Sequence, residues 1–141
     1  MSVVLFAGYD ANGNNGLWVT DGTAAGTHQL TGISGVSSAG IIPRGMTVVN
    51  GTVLFGGTDA FGLSGLWATD GTAAGTHELT GIAGTNNLIP SSLTVFNGEV
   101  LFAGTDSTNQ RGLWVTDGTP SGTHEVTGIS GASAGGSNLT A

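Results

Sequence analysis

Cysteine is absent from the 141 residues, which excludes disulfides, thiolate metal sites and thiol catalysis and leaves the compartment open. Lysine is absent as well. The two basic residues are arginines, set against nine acidic ones for a formal net charge of −7. A chain so poor in positive charge cannot neutralise a phosphate backbone, so nucleic acid is excluded as a main partner. An anionic membrane surface is disfavoured for the same reason. Charged residues of both signs make up only 8% of the chain, whereas 38% are apolar, a balance outside the disordered regime. No long apolar run is present. The stretch from Met1 to Asp10 is too short for a membrane helix and lacks the positive flank of a signal peptide. Export by an uncleaved C-terminal signal, or use of a mature fragment, stays open, and the expected location is extracellular or at the cell surface.

What the chain does have is repetition. The segment Leu17-Trp-Val-Thr-Asp-Gly-Thr-Ala-Ala-Gly-Thr-His-Gln-Leu-Thr-Gly-Ile33 returns as Leu66 to Ile82 and again as Leu113 to Ile129. Its tryptophans, Trp18, Trp67 and Trp114, stand 49 and 47 residues apart. A second block, Val-Leu-Phe-(Ala/Gly)-Gly, starts at Val4, Val53 and Val100, and a third, Leu/Met-Thr-Val-x-Asn-Gly, starts at Met46 and Leu93. Three units of about this length fill one repeat domain over residues 1–141, divided near 1–51, 52–98 and 99–141.

Each unit reads as four short strands and no helix, because no window carries the 3.6-residue apolar period. Strand a is Met46 to Val49 or Leu93 to Phe96, and strand b is Val53 to Gly57 or Val100 to Gly104. The Asn-Gly pairs between them, Asn50-Gly51 and Asn97-Gly98, are the strongest short hairpin signal, since both turn residues need positive φ. Strand c is Leu17 to Thr20 and its copies. Asp21-Gly22-Thr23 then turns the chain into strand d, Thr27 to Ile33, with the Asp capping its own turn.

The expected class is therefore all-β, with three four-stranded repeats forming the blades of a propeller. The chain opens on strand b and closes on Ser137-Asn-Leu-Thr-Ala141, which matches strand a. The Leu139 segment would then complete the first unit, Val3 to Gly8, by strand exchange, as propellers do to remove sheet edges. Three blades are too few for a ring, so a homodimer giving six blades is expected. The alternative is a β-trefoil, three four-stranded units that close within one chain.

The Leu-Trp-x-Thr-Asp-Gly-Thr-x-x-Gly-Thr segments resemble the bacterial ELWxxDGT-repeat proteins, over essentially the whole chain. That resemblance implies propeller-type β repeats and little about activity. Gly16, Gly65 and Gly112 stand where the pattern has Glu. The architecture also resembles oligomeric propeller lectins, a likeness of fold plan alone.

No catalytic constellation emerges, and the chain is not expected to be an enzyme. His28, His77 and His124 repeat once per unit and would sit on separate blades, and the many serines and threonines mark no distinctive nucleophile elbow. The Asp-Gly-Thr turns offer one carboxylate each, weak support for calcium, so no metal or cofactor is expected. What remains is a binding surface. The a–b and c–d turns are nearly identical among units, whereas the b–c loops, starting at Asp10, Asp59 and Asp106, differ, as do the d–a loops, Val36 to Gly45, Thr85 to Ser92 and Ala132 to Gly136. Arg44 and Arg111 fall in that variable set, and Trp18, Trp67 and Trp114 follow the b–c loops. An aromatic ring beside Asp and Arg is the chemistry of sugar recognition, with C–H faces stacked on the ring and hydroxyls chelated by planar polar groups. The expectation is a multivalent carbohydrate-binding protein, a lectin for glycans or glycoconjugates, with sites between blades. Its binding residues would be those three Trp, those three Asp and both Arg. The alternative is a structural or adhesion module, natural or engineered, with no small-molecule ligand.

Overall fold

The computed structural model describes residues 2–130, and these form three antiparallel sheets with no helix. The first sheet is β1 (Val4–Tyr9), β2 (Asn15–Thr20) and β3 (His28–Gln29). The second is β4 (Arg44–Val49), β5 (Thr52–Thr58), β6 (Ser64–Thr69) and β7 (His77–Glu78). The third is β8 (Ser91–Phe96), β9 (Glu99–Thr105), β10 (Arg111–Thr116) and β11 (His124–Glu125). Each sheet is a simple meander in chain order. The Leu139 segment expected to complete the first unit lies outside the described residues, as does the third d–a loop, Ala132 to Gly136.

The hairpins form as the Asn-Gly pairs require: φ is 48° and 80° at Asn50 and Gly51, and 50° and 81° at Asn97 and Gly98. Strand d departs from expectation. It pairs over two residues only, with Trp67 opposite Glu78 and Ala68 opposite His77, plus one further bond from Leu79 N–H to the Leu66 carbonyl at 2.8 Å. Gly81, at φ 74°, then turns the chain off the sheet edge, and Gly32 and Gly128 do the same in the other units. Strand a is longer than its apolar block, because a register shift between Arg44 and Thr47 carries the pairing back to Gly56.

The sheets pack through side chains. Trp67 and Phe55, on one face of the second sheet, are fully buried against Leu17, Val19, Leu30, Ile33 and Ile41 of the first unit and its crossover. Trp114 and Phe102 repeat that arrangement on the third sheet, against Leu54, Leu66, Ala68 and Leu79 of the second. In all three units the indole lies over its cross-strand Phe, with centroids 6.2–6.5 Å apart. A glycine on strand b gives the indole its room. A Cβ on Gly57 would come within 2.7 Å of Trp67 Cδ1, and one on Gly104 within 2.7 Å of Trp114 Cδ1. The bare backbone thus lets each ring lie close against strand b.

Two crossovers fasten neighbouring units at the b–c loop end. Residues 34–43 take Ile42 N–H to the Asn15 carbonyl at 3.1 Å and accept Thr58 N–H on the Ile41 carbonyl at 2.7 Å. The second crossover repeats this, Ile89 N–H to the Ser64 carbonyl at 2.9 Å and Thr105 N–H to the Leu88 carbonyl at 2.7 Å. Replacement of buried Trp67 by Ala should cost about 3–5 kcal/mol, the usual range for a large aromatic in a core. Half-buried Trp18 in the same exchange should cost clearly less, and urea unfolding monitored by circular dichroism of the two variants checks the order.

Candidate functional site

A cleft at the b–c loop end follows directly from the shortness of strand d. Above Leu66 the edge of β6 has no strand beside it until Ser64, whose carbonyl accepts Ile89 N–H at 2.9 Å and whose N–H donates to Asn87 Oδ1 at 3.0 Å. The chain from Thr80 to Leu88 spans the gap at a distance. The resulting cleft encloses about 320 Å³ and is lined by Asp59, Phe61, Ser64, Glu78, Asn87 and the crossover. The first unit has the same cleft, about 210 Å³, lined at equivalent positions by Asp10, Asn14, Gln29, Ser37 and Ser38. In the third unit the matching crossover lies outside the described residues.

Asp59 is held rigidly at the cleft. Its Oδ1 accepts the backbone N–H of Phe61 and of Leu63, both at 2.8 Å, in an Asx turn that fixes the loop. Asp10 does the same with Asn12 and Asn14, and Asp106 with Thr108 and Gln110. At Asp10 and Asp106 these bonds stabilise the charged form. The Asn14 N–H first, opposed by burial, holds the Asp10 carboxyl below its ordinary 3.8, and the Gln110 N–H first does so for Asp106. The fold role of these aspartates is thus loop closure, with the carboxylate left at the cleft margin.

Glu78 behaves in the opposite sense. It is partly buried, and burial, with the nearby Asp59 charge second, raises its carboxyl above the ordinary 4.5. The unit-one counterpart is Gln29, so one cleft carries two carboxylates and the other a carboxylate and an amide. The side chains of Gln29, Glu78 and Glu125 lie over Gly16, Gly65 and Gly112, where any Cβ would collide with them.

The tryptophans expected to stack on a ligand are placed elsewhere. Trp67 and Trp114 are fully buried between sheets, and Trp18 is half-buried on the outer face of the first. Arg111 is spent on the fold: its guanidinium donates to Ser91 Oγ at 2.5 Å and to the carbonyls of Ile89 and Ala103. Arg44 is exposed at the start of β4 and lines neither of these two clefts. The aromatic at the cleft is Phe61, 88% exposed at the tip of the second b–c loop. The sequence reading missed this residue; an apolar ring at a loop tip, in Asp59-Ala-Phe-Gly-Leu-Ser64, is the signal that could have found it.

The Asp-Gly-Thr turns at the other end are closed networks. Asp70 Oδ1 accepts Thr72 N–H at 2.8 Å and its hydroxyl at 2.7 Å, Thr72 Oγ1 accepts Gly75 N–H at 2.9 Å, and the Thr72 carbonyl accepts the Thr76 hydroxyl at 2.6 Å. The Thr72 hydroxyl first, then its N–H, holds Asp70 below 3.8, and Asp21 and Asp117 repeat the pattern with Thr23 and Thr119. Among the described residues no group of three or more His, Cys, Asp or Glu could hold a metal ion. Comparison with family models, with curated proteins and with solved structures finds no match to this chain.

Two pH effects follow. Asp10, Asp21, Asp70, Asp106 and Asp117 bind protons less readily when folded, so their stabilisation is present above about pH 4 and is lost as pH falls through their lowered values. Urea midpoints should therefore drop on acidification, and Asp70→Asn should flatten part of that drop. Glu78 has the reverse sign: its folded value is raised, so its contribution is favourable at low pH and is lost as pH rises through that value. Glu78→Gln, which copies Gln29, should be more stable than the parent at pH 7, with the advantage vanishing at low pH in the same titrations.

Proposed function

We propose that the chain is a non-enzymatic carbohydrate-binding protein, a lectin whose sites are the repeated clefts at the variable-loop end. The observation that carries this reading is the recurrence of one cleft, at equivalent residues, in consecutive units. Recurrence of the frame with variation of the lining is what multivalent recognition of a patterned surface requires, since weak sites on one rigid body gain through effective concentration. In the second unit, Phe61 offers a ring face for the C–H groups of a pyranose, and Asp59, Glu78, Asn87 and Ser64 offer acceptors and donors for its hydroxyls. The rigid Asx loop holds Asp59 ready, so little ordering entropy is lost on binding. The buried Trp67 and Trp114 support the sheets beneath and do not touch the ligand.

The propeller plan supports the same reading. Hydrogen-bonded ladders stay within each three- or four-stranded meander and none joins one sheet to the next among the described residues, as expected of radially stacked blades and unlike the shared barrel of a trefoil. The glycan surface is thus a rim of clefts at one end of the stack.

A glycan array with labelled protein tests the function, run with and without a chelator. Selective binding to one class of terminal sugar is expected, unaffected by chelator, and Phe61→Ala should abolish it while leaving the circular dichroism spectrum unchanged. A blank array, or binding indifferent to Phe61→Ala and to Asn87→Ala alike, overturns the cleft assignment. The blank array would put the ligand-free adhesion or scaffold module in its place.

A further inference from the structure

The first and third sheets each present to solvent one half of a contact that the chain makes twice internally. On the first sheet, Phe6 and Trp18 stack as Phe55–Trp67 and Phe102–Trp114 do, yet they are half-buried where their counterparts are fully buried. Val4 beside them is exposed, whereas its counterpart Val100 is fully buried. The outward face of the third sheet shows the complementary deficit. Ile129 is 48% exposed against 8% for its counterpart Ile33, and Phe96 is 56% exposed against 4% for Val49. Leu113 is half-buried where Leu17 and Leu66 have no exposure at all.

Inside the chain, the face bearing Ile33 and Leu17 receives Trp67 and Phe55, and the face bearing Leu66 and Leu79 receives Trp114 and Phe102. The open face of the third sheet is the next copy of the receiving surface, and the open face of the first sheet is the next copy of the inserted one. The first sheet also lacks a strand beside β1, which the second and third have as β4 and β8, so its edge carries unpaired backbone groups among the described residues. We propose that the partner for these faces is a second copy of this chain, docked head to tail so that Trp18 and Phe6 of one protomer enter the Leu113–Ile129 face of the other. Applied in both directions, the contact closes a two-chain ring of six sheets with a twofold axis. The same heterologous contact without closure would grow into a filament. The occupant is argued from continuity, because the two faces carry the counterparts of the residues that pack between the chain's own sheets, with Val126 in place of Leu30 and Leu79 and Phe96 in place of Val49. This inference is independent of what the clefts bind.

Light scattering coupled to size exclusion tests it on the full chain, from low to high micromolar concentration. The expected mass is that of two chains of 13.8 kDa each. Two substitutions at exposed positions, Val4→Asp on the inserting face and Ile129→Asp on the receiving face, should each give single chains with unchanged circular dichroism. An equimolar mixture at high concentration should recover a two-chain species, since each variant retains the face the other lacks. A single chain for the parent at all concentrations overturns the proposal, as does a mass that climbs past two chains. It is overturned equally if only one of the two substitutions dissociates the pair, because that result belongs to a face-to-face dimer, or if the mixed variants stay apart.

Discussion

An indole laid across a glycine is the contact on which the rest of the molecule depends. Trp67 and Trp114 each need a strand b residue without a Cβ, supplied by Gly57 and Gly104, and each then projects its bulk into the preceding unit. Leu, Ile and Val on the receiving face are sized to that bulk, so the position of one ring sets the distance between two sheets. The price is visible on the ring nitrogen: Nε1 of all three tryptophans is buried with no hydrogen-bond partner among the described residues. The unit retains Trp for its volume, and burial of the whole ring system offsets the cost of an unused donor.

With spacing set in the middle of the strands, the two ends of the stack are free to specialise. At one end, threonine and aspartate side chains close every c–d turn into a cage of short bonds, which consumes the groups a ligand would need. At the other, strand d leaves after two residues and the crossover returns across a gap, which leaves polar side chains around a cleft. The cleft is thus a by-product of how the chain passes from one sheet to the next. Its frame repeats because the crossover repeats, and its lining changes because nothing in the packing of the strands constrains it.

Much of this was legible in the residues themselves. Asn50-Gly51 and Asn97-Gly98 announced hairpins, and the three Trp-x-Thr-Asp-Gly-Thr segments announced three like units, because both depend on local backbone chemistry and on self-comparison. Strand d was overestimated. Its apolar residues, Leu30 and Ile33, do face the core, but from a chain that Gly32 has already turned out of the ladder. Period and composition report burial, and burial was mistaken there for pairing. The loop-end placement of Asp10, Asp59 and Asp106 could be read from topology, whereas the burial of Trp67 depends on a neighbouring sheet some fifty positions away in the chain. Arg111 shows the same limit from the other side, because its partners Ile89, Ser91 and Ala103 come together only through the meander of the third sheet.

Because no ladder crosses from sheet to sheet among the described residues, these are held together as a row of nearest-neighbour contacts. In such a row the free energy of folding is close to a sum of unit terms and interface terms, and a unit in the middle is secured twice while a unit at an end is secured once. The second sheet, sandwiched on both faces, is therefore the cooperative centre, and loosening propagates inward from either end. The same arithmetic makes length a quantity that changes in steps of one unit. Adding a repeat of about forty-eight residues inserts one more sheet and one more interface into the row, whereas a closed two-chain ring would have to accommodate two more sheets by changing the angle between all of them.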